Sequence, residues 1–400
     1  MSDSCNSRHF SWIIKSCFPN SNSNPILPIS ISTSTSLSSL PDDLLLECLT
    51  RLPSSSLPSL PLVCRRWSHL LRSPSFLSLR RFHNLIHPTV FAFSTSHSSL
   101  FALSLRFQPH SQIAIHALRK IHSQIASIDN ISHSRLSSIG PIIYIITPNG
   151  LLLSYHTWTA AVSLRSSITF PRKKFATAVV SGKIYVAGGG SRAAAAVEEY
   201  DPETDSWTVV AQSPRKRFGC TAAAVDGVFY VIGGLKIGPR AADAHVYASS
   251  MDLYDVEARA WLKSRAVPGG GCVVAACSAA GYVYILASHA VELSFWRFDA
   301  RRQQQPSGGF GEWCRIRSPP LPTQVRLDST VRFSCVGVED KVVLIQVAGC
   351  IDDLLRRSGR NVRGLKEGLV LVYYSSSGEW SRGPDLPEVI QRSTCVTVEC

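Results

Sequence analysis

The sequence lacks the features that would place the chain in a membrane or build it around disulfides. No apolar run reaches the roughly 18 residues that a helix needs to cross a bilayer, so we expect a soluble protein. Its 12 cysteines are scattered along the chain, and none belongs to a Cys-x-x-Cys pair. Disulfide frameworks and zinc sites have more regular spacing, so the pattern favours free thiols in a reducing compartment.

Motifs of common hydrolases and nucleotide-binding enzymes are also missing. The chain has no Gly-x-Ser-x-Gly and no His-Glu-x-x-His motif. The segment SGKIY at Ser181 lacks the upstream glycine and the Ser/Thr that a phosphate-binding loop requires. The sequence therefore predicts no catalytic residue, no metal ligand set and no cofactor.

Acidic residues are few relative to basic ones. The chain has 41 Lys and Arg against 28 Asp and Glu, a net charge of +13. This excess favours an acidic partner, although charge alone does not distinguish a nucleic acid from an acidic protein surface. The basic segments lack the interleaved aromatic residues on which bases stack, so nucleic acid is the less favoured partner.

Residues 1–39 are rich in Ser and Asn, and Asp3 is their single acidic residue. Such a segment buries too little apolar surface to offset chain entropy, so it is predicted to be disordered. Organelle transit peptides have a similar composition, but Arg8 and Lys15 are the only Lys or Arg residues here and no basic amphipathic helix emerges. We therefore expect the protein in the nucleus or the cytoplasm rather than in a plastid.

Residues 40–81 carry two apolar stripes at helical spacing. Pro41 suits the first turn of a helix, and Asp42 and Asp43 complement the positive end of its dipole. The first stripe comprises Leu44, Leu45, Cys48, Leu49 and Leu52. After a Ser/Pro-rich break, the second stripe comprises Val63, Trp67, Leu70 and Leu71. Helices this short bury little surface alone, so the segment is either a helical cap or a docking module that completes its core against a partner.

This segment resembles an F-box, the module that binds the Skp-type adaptor of cullin–RING ubiquitin ligases. The resemblance rests on the Leu-Pro start, the second Leu-Pro after the first helix, and the Val-Cys-Arg-Arg-Trp block. It implies that the adaptor contact, or the core behind it, is made by Leu40, Pro41, Leu44, Leu45, Leu49, Leu52, Pro53, Val63, Trp67 and Leu70, with Leu49 and Trp67 as the expected anchors. Pro58 and Pro61 depart from the family pattern, and Pro61 should disturb the middle helix.

Short β-rich runs repeat through the rest of the chain. The segments PRKKFATAVVSGKIYVAGG, from Pro171, and PRKRFGCTAAAVDGVFYVIGG, from Pro214, are near copies. Each leads into an acidic turn and a tryptophan, and tryptophans recur at positions 158, 207, 261, 313 and 380, near the period of about 50 residues of kelch repeats. Four strands per unit, with no helical period between them, are typical of propeller blades. We expect each tryptophan to pack between neighbouring blades.

The sequence thus resembles kelch repeats, most strongly in these two units. We predict a mainly β protein: a six-bladed kelch-type β-propeller over residues 82–400, preceded by a small three-helix F-box over residues 40–81. The six units fall at about 89–118, 132–158, 170–208, 216–262, 272–314 and 331–381. The first unit lacks an innermost strand, and the C-terminal segment STCVTVEC is left over. Pairing the two closes the ring and removes both open edges.

The basic triplets that open the two repeats predict a binding face. Alternation of strands puts the connections between blades and the connections between strands two and three on the same side of a propeller. The cations in these connections predict a substrate-binding face made of Arg172, Lys174, Arg192, Arg215, Arg217, Arg240 and Arg357. Kelch propellers often bind partner peptides on this face, and arginine suits carboxylate or phosphate through its bidentate fork. The alternatives are a rim of solvated cations and, for one triplet, a nuclear-import signal.

Functions of different classes remain open. In the first, the chain is a non-catalytic substrate receptor of an SCF-type ubiquitin ligase: its F-box binds the Skp-type adaptor, and through it the cullin, and its propeller binds an acidic or phosphorylated protein substrate. In the second, the propeller is an enzyme like the copper oxidases that share the kelch fold, although no Tyr/His metal cluster can be placed. The third is a basic scaffold for nucleic acid. The F-box favours the receptor, because the other two have no reason to carry one.

Overall fold

The computed structural model describes residues 37–96, 99–108, 112–121, 131–190, 195–236, 246–269, 271–289, 292–301, 311–320, 332–348, 368–390 and 392–400. They form two compact units, one reaching to Ile86 and including Thr157–Ala160, the other made of His87–His156 and Ala161–Cys400. The disorder predicted for the N-terminus falls outside the described residues, except at Leu37–Ser39, which form a 3₁₀ turn. Within the described part of the chain, no helix is long and apolar enough to cross a membrane.

In its described residues, the first unit holds three short α-helices. Helix α1 spans Asp42–Thr50, α2 spans Arg65–Leu70 and α3 spans Pro74–Phe82. Between α1 and α2 the chain forms a 3₁₀ helix over Leu57–Leu62, with Pro61 inside it. Proline removes a backbone donor and clashes with the preceding α-helical turn, which accounts for the missing α-helix at this point. The disturbance predicted from Pro61 is therefore confirmed.

The core of this unit combines the two apolar stripes with one buried arginine. Its buried apolar side chains include Leu45, Leu46, Leu49, Leu57, Leu60, Trp67, Leu70, Leu71 and Phe76. The guanidinium of Arg80 donates to the carbonyls of Thr50, Leu52 and Leu85 at 3.0, 3.2 and 3.0 Å. These bonds satisfy carbonyls at the end of α1 and fasten that end to α3.

The second unit is the β-propeller of six blades that the repeats predict. Blade 1 contains β1 (Pro88–Ser96), β2 (Ser99–Phe107) and β3 (Ile113–Ile121). Blade 2 contains β4 (Arg135–Ile139), β5 (Ile142–Ile146), β6 (Leu152–His156) and β7 (Val162–Arg165). Blade 3 contains β8 (Ala176–Val180), β9 (Lys183–Ala187), β10 (Ala196–Asp201) and β11 (Ser206–Gln212).

The later blades follow the same antiparallel order. A two-stranded ribbon, β12 (Arg217–Phe218) with β15 (Leu235–Lys236), accompanies blade 4, which contains β13 (Thr221–Val225), β14 (Val228–Ile232), β16 (Ser250–Asp255), β17 (Ala260–Trp261) and β18 (Arg265–Ala266). Blade 5 contains β19 (Cys272–Ala279), β20 (Tyr282–His289), β21 (Glu292–Asp299) and β22 (Trp313–Ile316). Blade 6 contains β23 (Arg332–Val338), β24 (Lys341–Ala348), β25 (Val370–Tyr374) and β26 (Glu379–Arg382), and β27 (Thr394–Glu399) ends the chain.

Strand β27 closes the ring by joining blade 1, as predicted. It pairs antiparallel with β1 from Pro88 opposite Glu399 to Phe93 opposite Thr394. Beyond the strands, the backbones of His87 and Cys400 exchange two hydrogen bonds of 3.0 and 3.2 Å. Every blade is thereby a sheet of at least four strands, and the inner edge of β1 is paired.

Four tryptophans link successive blades through their outer strands, also as predicted. The indole N–H groups of Trp207, Trp261, Trp313 and Trp380 donate to carbonyls at the end of the preceding blade, at 2.7–2.9 Å. Each ring also packs on an aromatic residue of the adjacent strand, with centroids 5.0–5.2 Å apart. The indole thus supplies both apolar area and a directed bond between blades.

The prediction that Trp158 plays this part in blade 2 is wrong. Trp158 lies in the turn between β6 and β7 rather than on an outer strand. Its ring packs edge-on against Phe76 of α3, with centroids 5.1 Å apart, and the Arg80 guanidinium lies 5.8 Å from its centroid. Regular spacing misled the prediction because tryptophan spacing does not show whether the residue lies on a strand or in a turn.

Removing the closing strand tests the ring. Deletion of residues 393–400 exposes the edge of β1 and removes the buried Val396 and Val398. We expect the melting temperature to fall on the order of 10 °C, from lost apolar burial and lost strand pairing. The control is Arg392→Ala, an exposed position immediately before the strand. Equal melting of the deletion variant and the control, measured by calorimetry, would contradict closure through β27.

Candidate functional site

A cavity of about 380 Å³ runs along the centre of the propeller. Its wall consists of the innermost strands β4, β8, β13, β19, β23 and β27. Most lining side chains are small, such as Ser137, Thr177 and Ala275, which leaves the space between the strands unfilled. Such a concave space at the centre of the unit is a suitable place for a ligand group to enter.

Arg135, the first residue of β4, brings a cation into this cavity. Its Nε donates to the carbonyl of Phe175 at 2.8 Å, and within the described part of the chain no carboxylate pairs with it. Burial lowers the pKa of the Arg135 guanidinium, and neighbouring Arg332 lowers it further. A half-buried cation is costly unless an anion pairs with it.

The surroundings of His133 indicate that further cations lie near Arg135. Burial lowers the pKa of the His133 imidazole, and Arg332, Lys174, Arg135 and Lys173 lower it further in that order. Lys173, Lys174 and Arg332 are exposed. We call Arg135, Lys173, Lys174 and Arg332 the cationic mouth. Their combined positive potential attracts carboxylate and phosphate groups.

Arg172, in contrast, belongs to the interior of blade 3. Its Nε and one terminal nitrogen donate to Glu198 at 3.0 and 2.6 Å, and the other nitrogen donates to the carbonyl of Gly188 at 2.8 Å. Neither side chain of this pair has any exposed surface, at 0% each. The expectation that Arg172 forms part of an exposed face is therefore wrong. The carboxylate of Glu198, on the third strand of the blade, pairs with Arg172 in the interior of the blade.

Arg217 makes the equivalent interactions in blade 4. It donates to Asp252 at 2.9 Å and to the carbonyls of Gly233 and Tyr247 at 2.7 and 3.0 Å, with no exposed side-chain surface, at 0%. Both accepting glycines have positive φ, +73° at Gly188 and +65° at Gly233, a backbone region that favours glycine. The predicted exposure of Arg217 is wrong for the same reason as that of Arg172.

This equivalence corrects the alignment of the two basic triplets. In an alignment of the two sequences, Arg172 corresponds to Arg215 and Lys174 to Arg217. In the structure, however, Arg172 occupies the position in blade 3 that Arg217 occupies in blade 4. Arg215 is half-buried and binds Asp252 and the hydroxyl of Ser264. Lys174 is exposed, with its Nζ 5.2 Å above the ring of Phe218. The three remaining predicted residues lie outside the described residues: Arg192, Arg240 and Arg357.

Besides Lys173 of the first basic triplet, sequence reasoning missed two members of the cationic mouth, Arg135 and Arg332. Each is the first residue of an innermost strand, at the start of RLSSI and RFSCVGV. A basic residue directly before a β-rich run is the signal that could have found them. Strand starts of different blades meet around the cavity, so these separated residues share one mouth.

The predicted adaptor-contact residues divide into core and surface. Leu45, Leu49, Trp67 and Leu70 are buried, Leu40, Leu52 and Val63 are half-buried, and Pro41, Leu44 and Pro53 are exposed. Leu49 and Trp67 are therefore core residues of the helical unit, and the expectation that they are the anchors of the contact is wrong. Leu44 is 54% exposed, and Leu62, which sequence reasoning missed, is 86% exposed.

Arg66 fixes the start of the first helix. Its Nε donates to Asp42 at 2.7 Å, and one of its terminal nitrogens donates to the carbonyl of Leu40 at 2.5 Å. These bonds tie the Leu-Pro start to α2 and hold it in a defined position. Among the described residues, no three His, Cys, Asp or Glu side chains lie close enough to hold a metal ion.

Comparison with known proteins shows the family. The F-box domain model matches residues 37–79, and the Kelch motif model matches residues 171–214. The F-box/kelch-repeat protein At5g26960 of Arabidopsis thaliana is 61% identical over 416 aligned residues, covering 100% of both chains. F-box/kelch-repeat protein At1g67480 of the same plant is 26% identical, over 56% of this chain and 61% of its own length. Kelch-like protein 36 of Mus musculus is 27% identical, over 58% of this chain and 35% of its own length. The chain belongs to the F-box/kelch-repeat proteins, which makes it an adaptor-type protein.

The structural role of Arg217 is open to a direct test. Arg217→Met leaves Asp252 buried with a weaker partner, so we expect the free energy of unfolding to fall by about 3–5 kcal/mol. Lys216→Met, at the exposed neighbouring position, should change it by less than about 0.5 kcal/mol. Adding Asp252→Asn to Arg217→Met should recover part of the loss, because it neutralises a buried carboxylate that has lost one of its two arginine partners. Denaturant unfolding measures all three, and equal stability of the Arg217 and Lys216 variants would refute the role.

Proposed function

We propose that this chain is the substrate-recognition subunit of an SCF-type ubiquitin ligase. The observation that carries the proposal is the presence, in one chain, of an F-box and a closed kelch propeller with an open central mouth. The chain needs no catalytic group of its own for this work. It raises the local concentration of a substrate lysine near the ubiquitin-loaded enzyme, which converts an encounter in solution into an intramolecular one.

The helical unit is proposed to bind the Skp-type adaptor through its exposed apolar residues. Leu44 on α1 and Leu62 at the end of the 3₁₀ helix present large apolar side chains to solvent. Apolar surface of this kind gains most from burial against a partner, and a few such residues carry most of an interface's binding energy. The buried Leu49 and Trp67 then act as the support that positions this surface.

The propeller is proposed to bind the substrate protein at the cationic mouth. Lys173, Lys174 and Arg332 are exposed around Arg135, which reaches into the cavity. An acidic or phosphorylated side chain that enters there would pair with Arg135, while the lysines bind neighbouring carboxylates or phosphates. Arg172 and Arg217 contribute indirectly, because their buried ion pairs hold the connections that carry the exposed lysines.

We also propose that the receptor works in the nucleus or the cytoplasm. The free cysteines of the described residues suit these reducing compartments.

The adaptor contact is tested by removing both exposed leucines. Leu44→Ala with Leu62→Ala should raise the Kd for a Skp-type adaptor at least tenfold, because two apolar anchors each contribute more than about 1 kcal/mol. Ser59→Ala, an exposed residue of the same 3₁₀ helix, is the control and should bind as the unaltered chain does. Calorimetric titration of the full chain gives the affinities, and melting curves show that each variant is folded. Unchanged affinity in a folded double variant would remove the proposed contact.

The substrate site is tested by reversing the exposed charges of the cationic mouth. A variant with Lys173→Glu, Lys174→Glu and Arg332→Glu should retain acidic and phosphorylated peptides from a peptide library at least tenfold less well. The matched control reverses three exposed cations on or near the outer strands, Lys120, Lys263 and Arg315, which changes the net charge equally.

Capture by the unaltered chain should also weaken as salt rises, because exposed charge contacts are screened. Adaptor affinity serves as the internal check, since the helical unit is untouched by either set of substitutions. Equal capture by the mouth variant and the control variant would mean that these cations form only a solvated rim.

A further inference from the structure

We propose that Cys277 and Cys335 are a modification site, at which a hydroperoxide that enters the central cavity converts two thiols into a disulfide. The two sulfur atoms are 3.2 Å apart, and both residues are free cysteines. They lie 58 residues apart in the sequence, on β19 of blade 5 and β23 of blade 6. The bond would therefore join the innermost strands of two neighbouring blades.

The backbone holds these two strands unusually close. A Cβ atom placed on Gly337 would lie 1.9 Å from the carbonyl oxygen of Ser278, a distance that no side chain tolerates. Ser278 follows Cys277 directly, and Gly337 lies two residues after Cys335 on the same strand. The absence of a side chain at Gly337 therefore permits the approach that brings the two sulfurs together. The sulfur contact and the glycine contact are independent observations of one close strand pair.

The pair lies where the cavity wall meets the packed space between two blades. Both cysteines line the cavity, and both also belong to the apolar cluster between blades 5 and 6 that includes Tyr284 and Phe333. A disulfide has an S–S length of about 2.05 Å, so the sulfurs need to approach by only about 1.1 Å.

The site stays reduced at rest. Burial raises the pKa of the Cys277 thiol well above its usual value, and the hydrogen bond with Cys335 raises it further. The thiolate is the reactive form, so the raised pKa slows oxidation of the pair. A reducing compartment, which the scattered cysteines of this chain favour, would restore the dithiol afterwards.

The chemistry balances with one hydroperoxide per disulfide. One thiolate attacks the distal oxygen of hydrogen peroxide, the O–O bond breaks, and the sulfur becomes a sulfenic acid as hydroxide leaves. The second sulfur attacks the sulfenic sulfur, the S–S bond forms, and the S–O bond breaks. With both thiol protons transferred to oxygen, two thiols and one hydrogen peroxide yield one disulfide and two water molecules.

The disulfide would stabilise the propeller against opening between blades 5 and 6. It closes a covalent loop that contains the rest of blade 5 and the start of blade 6. Cross-linking residues this far apart in the sequence removes much conformational freedom from the unfolded chain. The propeller would thus become more rigid under oxidising conditions, without a change in its strand pairing.

The test uses the full chain with Cys272→Ser as background, because Cys272 and Cys277 fall on one tryptic peptide, residues 266–297. The protein is treated with hydrogen peroxide, denatured with an alkylating reagent, digested and analysed by mass spectrometry. We expect this peptide to be joined to the peptide of residues 333–341, which contains Cys335. The mass of the joined species should be two hydrogens lower than the sum of the two peptide masses. The melting temperature should rise on the order of 5–10 °C and return after reduction.

Two variants separate the proposal from nonspecific oxidation. Cys277→Ala should abolish both the cross-link and the rise in melting temperature. Cys395→Ser should keep both, although Cys395 lines the same cavity, where burial raises its pKa to about 12. Recovery of Cys277 and Cys335 as alkylated thiols or as sulfinic acids in the oxidised Cys272→Ser chain would overturn the proposal. A dominant cross-link from Cys335 to Cys395 would overturn it equally.

Discussion

Closure of the ring by β27 is the constraint on which the propeller depends. Each blade packs only on its two neighbours, so an open ring would leave two apolar blade faces and an unpaired strand edge exposed to water. Six residue pairs between β1 and β27, from Pro88 to Phe93, remove that edge, and the hydrogen bonds between His87 and Cys400 extend the pairing. The central cavity and its mouth exist because the ring is complete. Residues at the starts of β4 and β23 become neighbours only when all six innermost strands surround one axis.

Arginine occurs in two environments in this unit, paired with a buried carboxylate or in the wall of the cavity. Arg172 and Arg217 meet Glu198 and Asp252 on the third strand of their own blades, and the pairs are fully buried. Breaking such a pair leaves an uncompensated charge, which is why these arginines behave as structural elements. Arg135 has no such partner among the described residues and lies in the cavity wall. The cations that we propose as ligand-binding are therefore those for which the described residues supply no acid.

Local patterns predicted the architecture, whereas contacts between distant residues escaped prediction. Alternating apolar runs and repeated glycine pairs indicated blades, and the leftover STCVTVEC identified the closing strand. Exposure of Arg217 was predicted wrongly, because its partner Asp252 lies 35 residues along the chain. The two-residue shift between the triplets hid its equivalence with Arg172. The proximity of Cys277 and Cys335 depends on two strands in different blades, and no local pattern carries that information.

The central claim is that one chain links a ubiquitin ligase to a protein held at the propeller mouth. The most direct test is an assay of ubiquitin transfer. The ligase is reconstituted from this chain, a Skp-type adaptor, a cullin and its RING partner, and the acceptor is a protein that the propeller retains. We expect the unaltered chain to promote transfer, and the chain lacking the exposed Leu44 and Leu62 side chains to retain the acceptor without promoting transfer. Equal transfer with both chains, or none with the unaltered chain while adaptor and acceptor are both bound, would contradict the account.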